Sequence, residues 1–396
     1  MKKKITLGVT GSIAAYKAAE LASALTQAGH DVHAVLTRNA ASFISPLTFA
    51  TLTHNKAHTD MFADEDHTRV THIDLGTTSD LILIAPATYN ILGKAAHGIA
   101  DDLLSSILAA AAPDKVLFAP AMNVNMYQNP ACQASVAALL QRGCQFVEPE
   151  AGMLACGVMA KGRLAKVPAI LEAVEAFFCP KTLAGKTILI TAGATREYLD
   201  PIRFLSNSSS GRMGVALARA CRNRGASVTL LLANSALDLD GVNLVRVDTV
   251  AEMADAVRRL FGACDWLIAA AAVSDFRPAD RSPVKIKKNS AGLILNLEPT
   301  TDILQEISRL RTKQKLIGFA AESENLLENA RLKLKKKNLD LVVANYLDNF
   351  ASPTGRVWLV APDQAVELPE QPKETLAEAI VDGIAGLVGA GAEPGL

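Results

Sequence analysis

The feature that most constrains the fold of this 396-residue chain is a pattern that occurs twice, once in each half. In each copy a short strand rich in β-branched residues ends near Gly and Thr, and an Ala-rich helix leads to a second strand. The first copy is Lys2–Thr37, KKKITLGVTGSIAAYKAAELASALTQAGHDVHAVLT; the second begins at Gly185–Glu197, GKTILITAGATRE, and resumes after an insertion with SSGRMGVALARACRNRGASVTLLLA. Such a unit places backbone N–H groups and a helix N-terminus where phosphates bind. The sequence therefore predicts two ligand-binding units, and two activities.

Composition limits the kind of protein and its partners. Half of the residues are hydrophobic and one in five is charged, which excludes disorder for most of the chain. Lys plus Arg and Asp plus Glu each count 40, so nothing indicates a nucleic acid or a membrane as partner. The longest apolar run, Leu103–Ala112, is too short to span a bilayer, and we expect a cytoplasmic protein. Free thiols are expected because no CxxC pair occurs among the six cysteines: Cys132, Cys144, Cys156, Cys179, Cys221 and Cys264.

Alternating strands and helices predict an α/β fold with two Rossmann-like or flavodoxin-like open sheets, one per domain, each with helices on both faces. Cys179-Pro180-Lys181 and Gly185 interrupt the pattern, which predicts domains at 1–180 and 185–396. Residues from Gly386 onward are rich in Gly and Ala and are expected to fray. Strands are predicted at 5–9, 32–36, 81–85, 116–119, 145–147, 187–191, 227–232, 244–247, 266–270, 315–319 and 341–344, and helices at 14–28, 103–111, 131–142, 167–178, 212–224, 251–262 and 326–337.

Several candidate site residues in the first half follow predicted strands. The turn Gly11-Ser12-Ile13 could cradle a single phosphate, since neither GxGxxG nor a P-loop is present. Asn123 carries an amide that can donate to a carboxylate, and Cys156 lies in a loop of small residues that suits a reactive thiol. His72 precedes a predicted helix cap and could act as a base near neutral pH. A single His or Cys is more often structural, and spacing alone does not make these three a site.

Four segments of the first half resemble the flavin-dependent cysteine decarboxylases, and in particular the phosphopantothenoylcysteine decarboxylases of coenzyme A biosynthesis. They are THIDLGTTSDLILIAPAT, GIADDLLSS, APAMNVNMY and GMLACGVMAKGRL. The resemblance implies FMN bound around Gly11, Ser12, Ile13, Thr37, Ala87 and Thr88. It also implies His72 as base, Asn123 as ligand of the substrate carboxylate and Cys156 as proton donor. The segments depart from the family pattern at Tyr127, where Trp is usual, and at Tyr89, where a small residue is usual.

The insertion in the second half is too polar for a simple connector. Thr191–Gly214 reads TAGATREYLDPIRFLSNSSSGRMG and holds Arg196, Asp200, Arg203 and Asn207. Asp275 follows a buried strand in AAAAVSDFRP and could hold a metal ion or a ribose hydroxyl. The lysines of VKIKK, which begins at Val284, and the helix end Lys333–Lys337 could neutralise a triphosphate. The alternative for each lysine run is a solvated face.

These segments, together with GFAAES and KNLDLVVAN, resemble the phosphopantothenate–cysteine ligases over about residues 185–385. The resemblance to the bacterial fused form implies CTP and Mg²⁺, with activation of a carboxylate as a cytidylyl anhydride before the amine of cysteine attacks. It implies substrate contacts by Arg203 and Asn207, with Asn207 also catalytic, and a metal contact by Asp275. Ser208 stands where Arg is frequent. The nucleotide-binding residues would be Asp275, Lys285, Phe319, Lys333 and Lys337.

The sequence thus predicts a bifunctional enzyme acting on small molecules, in which ligation precedes decarboxylation. A trimeric first half and a dimeric second half are implied by resemblance, giving a larger homo-oligomer such as a dodecamer. Two alternatives remain open. One is a regulatory protein that binds FMN without catalysis, which the presence of His72, Asn123 and Cys156 disfavours. The other is an NAD-type oxidoreductase, which the absence of GxGxxG disfavours.

Overall fold

The structure is a computed structural model that describes residues 2–62, 70–153, 159–288, 293–347 and 352–389. The chain divides into two compact units, residues 1–178 and 179–396. No helix in these described ranges combines the length and the apolar character that a membrane span requires.

The first unit is built on a parallel sheet in the order β2-β1-β3-β4-β5. This is the flavodoxin-like strand order. The direction in which successive strands are added to the sheet reverses between β1 and β3, and this position is the switch point of the sheet. Leu81–Ala87 is buried along its whole length, as expected for a central strand covered on both faces. The strands are β1 Lys4–Val9, β2 Asp31–Leu36, β3 Leu81–Ala87, β4 Val116–Pro120 and β5 Gln145–Phe146, with a separate hairpin of β6 Glu150–Met153 and β7 Met159–Arg163.

Helices cover both faces of this sheet, and each face has its own apolar cluster. On one face α1 and α9 pack over residues such as Leu7 and Leu83; on the other, α5, α6 and α8 pack over Ile82 and Phe118. The helices are α1 Ala15–Gln27, α2 Arg38–Ala41, α3 Pro46–Thr53, α4 Thr71–Thr78, α5 Tyr89–His97, α6 Leu103–Ala110, α7 Val124–Gln128, α8 Pro130–Gln141 and α9 Val167–Phe178.

The second unit has a sheet of order β12-β11-β8-β13-β16-β17-β18-β19. Counted within the unit, its six parallel strands follow the order 3-2-1-4-5-6, which is the Rossmann order, with the switch point between β8 and β13. The last two strands are antiparallel. The main-sheet strands are β8 Thr187–Gly193, β11 Ser227–Ala233, β12 Asn243–Val247, β13 Trp266–Ala269, β16 Lys315–Glu322, β17 Leu341–Tyr346, β18 Thr354–Val360 and β19 Ala365–Pro372.

Two short hairpins and five helices complete the described part of the second unit. The hairpins lie near the carboxyl ends of β8 and β13, one within the insertion and one after Asp275. The hairpin strands are β9 Arg196–Tyr198 with β10 Phe204–Ser206, and β14 Phe276–Pro278 with β15 Leu297–Pro299; the helices are α10 Arg212–Asn223, α11 Val250–Phe261, α12 Ile303–Leu310, α13 Leu326–Lys336 and α14 Lys373–Gly389.

The two doubly wound sheets confirm the predicted α/β class. The sequence analysis did not predict the hairpins, the antiparallel strands β18 and β19, or the helix α14. The prediction that the residues from Gly386 onward are frayed is wrong for Gly386 to Gly389, because α14 continues to Gly389. Leu387 packs against the buried cluster that includes Val343 and Leu359 of the sheet, and this contact ties the end of the helix to the core.

Candidate functional sites

The ends of β1 and β3 meet at the switch point of the first unit through two threonines. The hydroxyl of Thr10 donates to the carbonyl oxygen of Pro86 at 2.7 Å and lies 3.0 Å from Oγ1 of Thr88. The backbone N–H of Thr88 donates back to Thr10 Oγ1 at 3.1 Å. These bonds tie the turn after β1 to the predicted pair Ala87 and Thr88, at the sheet edge where doubly wound folds bind ligands.

The turn Gly11-Ser12-Ile13 leads from this point into α1. A Cβ at Gly11 would overlap Cβ of Asn39, so the turn can approach α2 this closely only without a side chain. Thr37 caps α2, where its side chain accepts from the N–H of Ala40 at 3.3 Å. Ile13 is 62% exposed and presents an apolar side chain beside these polar groups. The predicted FMN residues therefore cluster at one edge of the sheet, around a site with both polar and apolar character.

Asn123 follows β4 at the same edge and caps the short helix α7. Its Oδ1 accepts from the N–H of Asn125 at 2.8 Å, and Asn123 itself is half-buried. The preceding residue is joined to the β6–β7 hairpin, because the N–H of Met122 donates to the carbonyl of Gly162 at 2.9 Å. The hairpin is thereby held against the segment that carries Asn123.

The two other catalytic residues predicted for the first unit are His72 and Cys156. His72 does not precede a helix cap as predicted: it is half-buried in the first turn of α4, whose N-cap is Val70. Cys156 lies outside the described residues, between the strands β6 and β7.

A cavity of about 650 Å³ opens at the switch point of the second unit. Its walls come from the ends of β8 and β13, the start of α10, and the segments before α12 and within α13. Five of the predicted nucleotide or substrate residues line it: Asn207, Asp275, Phe319, Lys333 and Lys337.

Two lysines line this cavity, Lys333 within α13 and Lys337 at its C-cap. Lys333 Nζ donates to the carbonyl of Phe319 at 2.6 Å, and Lys337 Nζ pairs with Asp302 Oδ1 at 3.0 Å. Burial, and then the positive charge of Lys337, lower the pKa of Lys333 below its ordinary value. Asp302 also caps α12, since its Oδ1 accepts from the N–H of Gln305 at 3.1 Å. The lysines are thus held at fixed positions beside the end of β16.

Asn207 lies on the other side of the cavity, just after the β9–β10 hairpin. Its Nδ2 is 3.3 Å from the carbonyl oxygens of both Ala272 and Val273, which follow β13. The side chain is exposed to the cavity opening. The amide is therefore oriented by the backbone of the neighbouring strand end and can donate only by exchanging one of these contacts.

Arg203 and Lys285 do not line the cavity. The guanidinium of Arg203 bonds to Asp200 Oδ2 at 2.6 Å and to the carbonyl of Ile286 at 2.8 Å. The structure thus uses Arg203 to hold two chain segments together, next to Lys285.

Asp275 is exposed at the end of the loop after β13. In the described ranges, no group of three or more His, Cys, Asp or Glu residues could hold a metal ion by itself. Mg²⁺ that travels with a nucleotide takes most of its ligands from phosphates and water, and needs only one or two carboxylates. A single carboxylate at Asp275 is compatible with that kind of site.

The sequence analysis missed several residues of these sites. Thr10 joins the two strand ends of the first unit, and its position after β1, directly before Gly11, was the available signal. Asp302 was missed although an Asp before an apolar helical period is a typical N-cap. Arg212 was missed although it lies in the same cavity-lining segment as Asn207, whereas Lys373 reaches the cavity from a distant part of the sequence, which no local pattern reveals.

Two doubly wound units, each with polar groups gathered at its own switch point, define a two-site α/β protein of the nucleotide-binding kind. Residues 1–179 match the family model described as "Flavoprotein", and residues 183–387 match "DNA/pantothenate metabolism flavoprotein C-terminal domain". The chain is 42% identical to the coenzyme A biosynthesis bifunctional protein CoaBC of Bacillus subtilis (strain 168), with 97% of each chain covered. The chain therefore belongs to the family of coenzyme A biosynthesis bifunctional proteins.

Two further proteins are similar to this chain over part of its length. A cysteine/cysteine sulfinic acid decarboxylase from an unknown prokaryotic organism is 44% identical and covers 80% of this chain and 91% of its own. The crystal structure of the C-terminal domain of a coenzyme A biosynthesis bifunctional protein CoaBC is 37% identical, with a TM-score of 0.46, and covers 53% of this chain and 98% of that chain.

Proposed function

We propose that the second unit joins cysteine to 4'-phosphopantothenate at the expense of CTP, and that the first unit decarboxylates the product to 4'-phosphopantetheine. The observation that carries this proposal is the cavity at the β8/β13 switch point, with Asn207 on one side and Lys333 and Lys337 on the other. Membership of the coenzyme A biosynthesis family at nearly full length supports the same pair of reactions.

The first unit would hold FMN at its β1/β3 switch point. The residues fit the group: the turn at Gly11 and Ser12 leads into α1 and carries the Ser12 hydroxyl, which can donate to a phosphate, while Ile13 offers an apolar surface to a ring. Thr37 and Thr88 follow β2 and β3, the two strands that flank β1 in the sheet. FMN would supply oxidation of the thiol end of the substrate, which provides an electron sink for the electron pair that stays on carbon when CO₂ leaves, and the later return of the two electrons.

This chain's own residues would bind the substrate and move protons. Asn123 would donate through its amide to the substrate carboxylate, and its cap at α7 fixes the backbone from which it reaches. His72 would take up the thiol proton, and Cys156 would give a proton to the enethiol left after CO₂ loss.

In the second unit the triphosphate of CTP would lie against the positively charged side chains of the cavity. Lys333 and Lys337 would contact the nucleotide beside Phe319, while Asp275 would hold Mg²⁺ or a ribose hydroxyl. Lys285 would reach the phosphates from the loop after β14. The carboxylate of 4'-phosphopantothenate attacks the α-phosphate of CTP, and pyrophosphate leaves.

The second step would take place next to Asn207. The amine of cysteine attacks the acyl carbon of the acyl-cytidylate, CMP leaves and an amide forms. Asn207 would donate to the oxyanion that develops on the acyl oxygen, a contact worth about 3 kcal/mol in comparable sites. Arg203 would act on the substrate from its position beside Asp200.

We also propose that the first unit forms trimers and the second forms dimers, so that the whole assembly is a dodecamer. Large apolar side chains that are exposed in and near the turn Gly11-Ser12-Ile13 support this. They are Ile13, Tyr16, Phe43 and Leu47, which are 53–72% exposed. Exposed apolar clusters of this kind mark protein interfaces.

Two measurements test the two halves of the proposal. Flavin released from the purified protein and identified by chromatography should be FMN; no flavin, or FAD, would contradict the first half. Pyrophosphate release in the presence of 4'-phosphopantothenate and Mg²⁺, but without cysteine, should require CTP. Release with ATP alone, or no release, would contradict the second half.

A further inference from the structure

A loop rich in lysine is fastened to the insertion by hydrogen bonds. We call residues 282–288, SPVKIKK, the lysine segment. The N–H of Ser282 donates to the carbonyl of Leu199 at 2.8 Å, and the N–H of Ile286 donates to Asp200 Oδ2 at 3.1 Å. The carbonyl of Ile286 accepts from Arg203 Nη1 at 2.8 Å. Both backbone polar groups of Ile286, the residue after Lys285, are therefore held by one acid–base pair.

The two carboxylate oxygens of Asp200 accept hydrogen bonds from different groups. Oδ1 accepts from the N–H groups of Ile202 at 2.8 Å and Arg203 at 2.7 Å, which closes the local turn. Oδ2 accepts from Arg203 Nη1 at 2.6 Å and from Ile286, which holds the lysine segment. The side chain is fully buried. The N–H of Arg203, followed by the other donors, keeps the pKa of Asp200 well below its usual range, so the carboxylate stays charged.

We infer that Asp200 is a positioning residue for nucleotide binding, which acts by holding the backbone beside Lys285 where its ammonium group reaches the phosphates of the nucleotide. This inference rests on the proposed function of the second unit. A lysine on a free loop loses backbone and side-chain freedom when it binds a phosphate, and a loop that is already held loses less. Asp200 itself touches no substrate; its effect passes through Lys285.

The substitution Asp200→Asn separates the hydrogen bonds at Oδ1 from those at Oδ2. An asparagine keeps an oxygen at the Oδ1 position, so the turn at Ile202 and Arg203 can close. Its NH₂ group then takes the Oδ2 position, where it faces two donors, Arg203 Nη1 and the N–H of Ile286. Because an NH₂ group cannot accept a hydrogen bond, the contact with Ile286 is lost. We expect the KM for CTP in pyrophosphate release to rise about tenfold, with kcat changed less than about threefold, as for loss of a hydrogen bond to a charged group.

A double-mutant cycle with Lys285→Ala distinguishes positioning from a merely structural role. In the Lys285→Ala background, Asp200→Asn should add no further increase in KM, because the residue through which it acts is absent. Equal increases in both backgrounds, or no increase in either, would overturn the inference. Asp280→Asn makes the same chemical change at an exposed position two residues before the lysine segment, and is the matched control.

Two further measurements keep the inference testable whatever the first variant does. Ile286→Pro removes the same N–H from the other partner and should raise the KM for CTP alike, even if Asp200→Asn does not fold; an unchanged KM would overturn the inference. Trypsin should cleave after Lys287 and Lys288 faster in Asp200→Asn than in the wild type or in Asp280→Asn. This readout needs no enzymatic activity, so equal cleavage overturns the role of Asp200, whereas a wild type that releases no pyrophosphate overturns the proposed function.

Discussion

At the scale of single residues, three polar side chains near strand ends are oriented by backbone carbonyl groups. Thr10 is tied to the carbonyl of Pro86, Asn207 to those of Ala272 and Val273, and Lys333 to that of Phe319. Because the carbonyls belong to buried strands or to the loops that leave them, the side chains are placed before a ligand arrives. Such prior placement lowers the cost of binding and favours electrostatic stabilisation of a reacting group.

Asn207→Asp should separate the two steps of ligation. A carboxylate at this position would face the oxyanion that forms when cysteine attacks, so amide formation should fall by about 100-fold or more. Pyrophosphate release should persist, because the nucleotide contacts proposed for Asp275, Lys333 and Lys337 are left unchanged. The test follows pyrophosphate and amide separately. Equal loss of both signals would show that Asn207 binds nucleotide or is structural.

The protonation of Lys333 should set an alkaline limit on nucleotide binding. Burial and the charge of Lys337 lower its pKa, so Lys333 loses its proton at a lower pH than an ordinary lysine does. The KM for CTP should therefore be lowest on the acidic side of that pKa and should rise as pH increases through it. Lys333→Arg should move this rise to higher pH. An identical profile for wild type and Lys333→Arg would assign the limit to another group.

At the scale of elements, the β6–β7 hairpin is fixed to the segment that bears Asn123. Gly162 has φ +149°, and a Cβ at this position would lie 2.5 Å from the carbonyl oxygen of Met122. A side chain is therefore excluded both by the backbone conformation and by the close approach. The hydrogen bond from Met122 to Gly162 therefore joins β7 to the segment that bears Asn123. Cys156, which lies outside the described residues, falls between β6 and β7 in the sequence.

Gly162→Ala should detach the hairpin and impair decarboxylation by about tenfold or more, as misplacement of a reacting group does. Ligation should continue, because it belongs to the other unit. Gly143→Ala is a suitable control: Gly143 also has positive φ, at +100°, but the atom nearest to an added Cβ would be the backbone N of Asp114, at 4.0 Å. The assay is CO₂ release from 4'-phosphopantothenoylcysteine. Similar rates for the two variants would mean that the hairpin contact is dispensable.

Local pattern was sufficient for the central elements of both sheets and insufficient for the parts that close the sites. The apolar run Leu81–Ala85 and the helix after Gly211 could be predicted because strand and helix periods are visible in short windows. The pairing of Asp200 with Ile286 spans 86 residues, and the place of Lys373 on the cavity wall depends on an antiparallel extension of the sheet. Such contacts arise from topology, which a single sequence does not display.

At the scale of the whole molecule, one chain joins two doubly wound units that differ in strand order. The first has order 2-1-3-4-5 and the second begins 3-2-1-4-5-6, yet each collects its polar residues where the order reverses. The amide that the second unit would form is the compound that the first would decarboxylate. The relatives named as coenzyme A biosynthesis bifunctional proteins match the chain across both units, whereas another similar protein is named as a cysteine/cysteine sulfinic acid decarboxylase.

The most direct test of this account is the product that the purified protein makes from 4'-phosphopantothenate, cysteine, CTP and Mg²⁺, followed over time by mass spectrometry. The account predicts that 4'-phosphopantothenoylcysteine appears first and is converted to 4'-phosphopantetheine, with CMP, pyrophosphate and CO₂ released in proportion. Formation of cysteamine from free cysteine, without any need for 4'-phosphopantothenate or CTP, would contradict it.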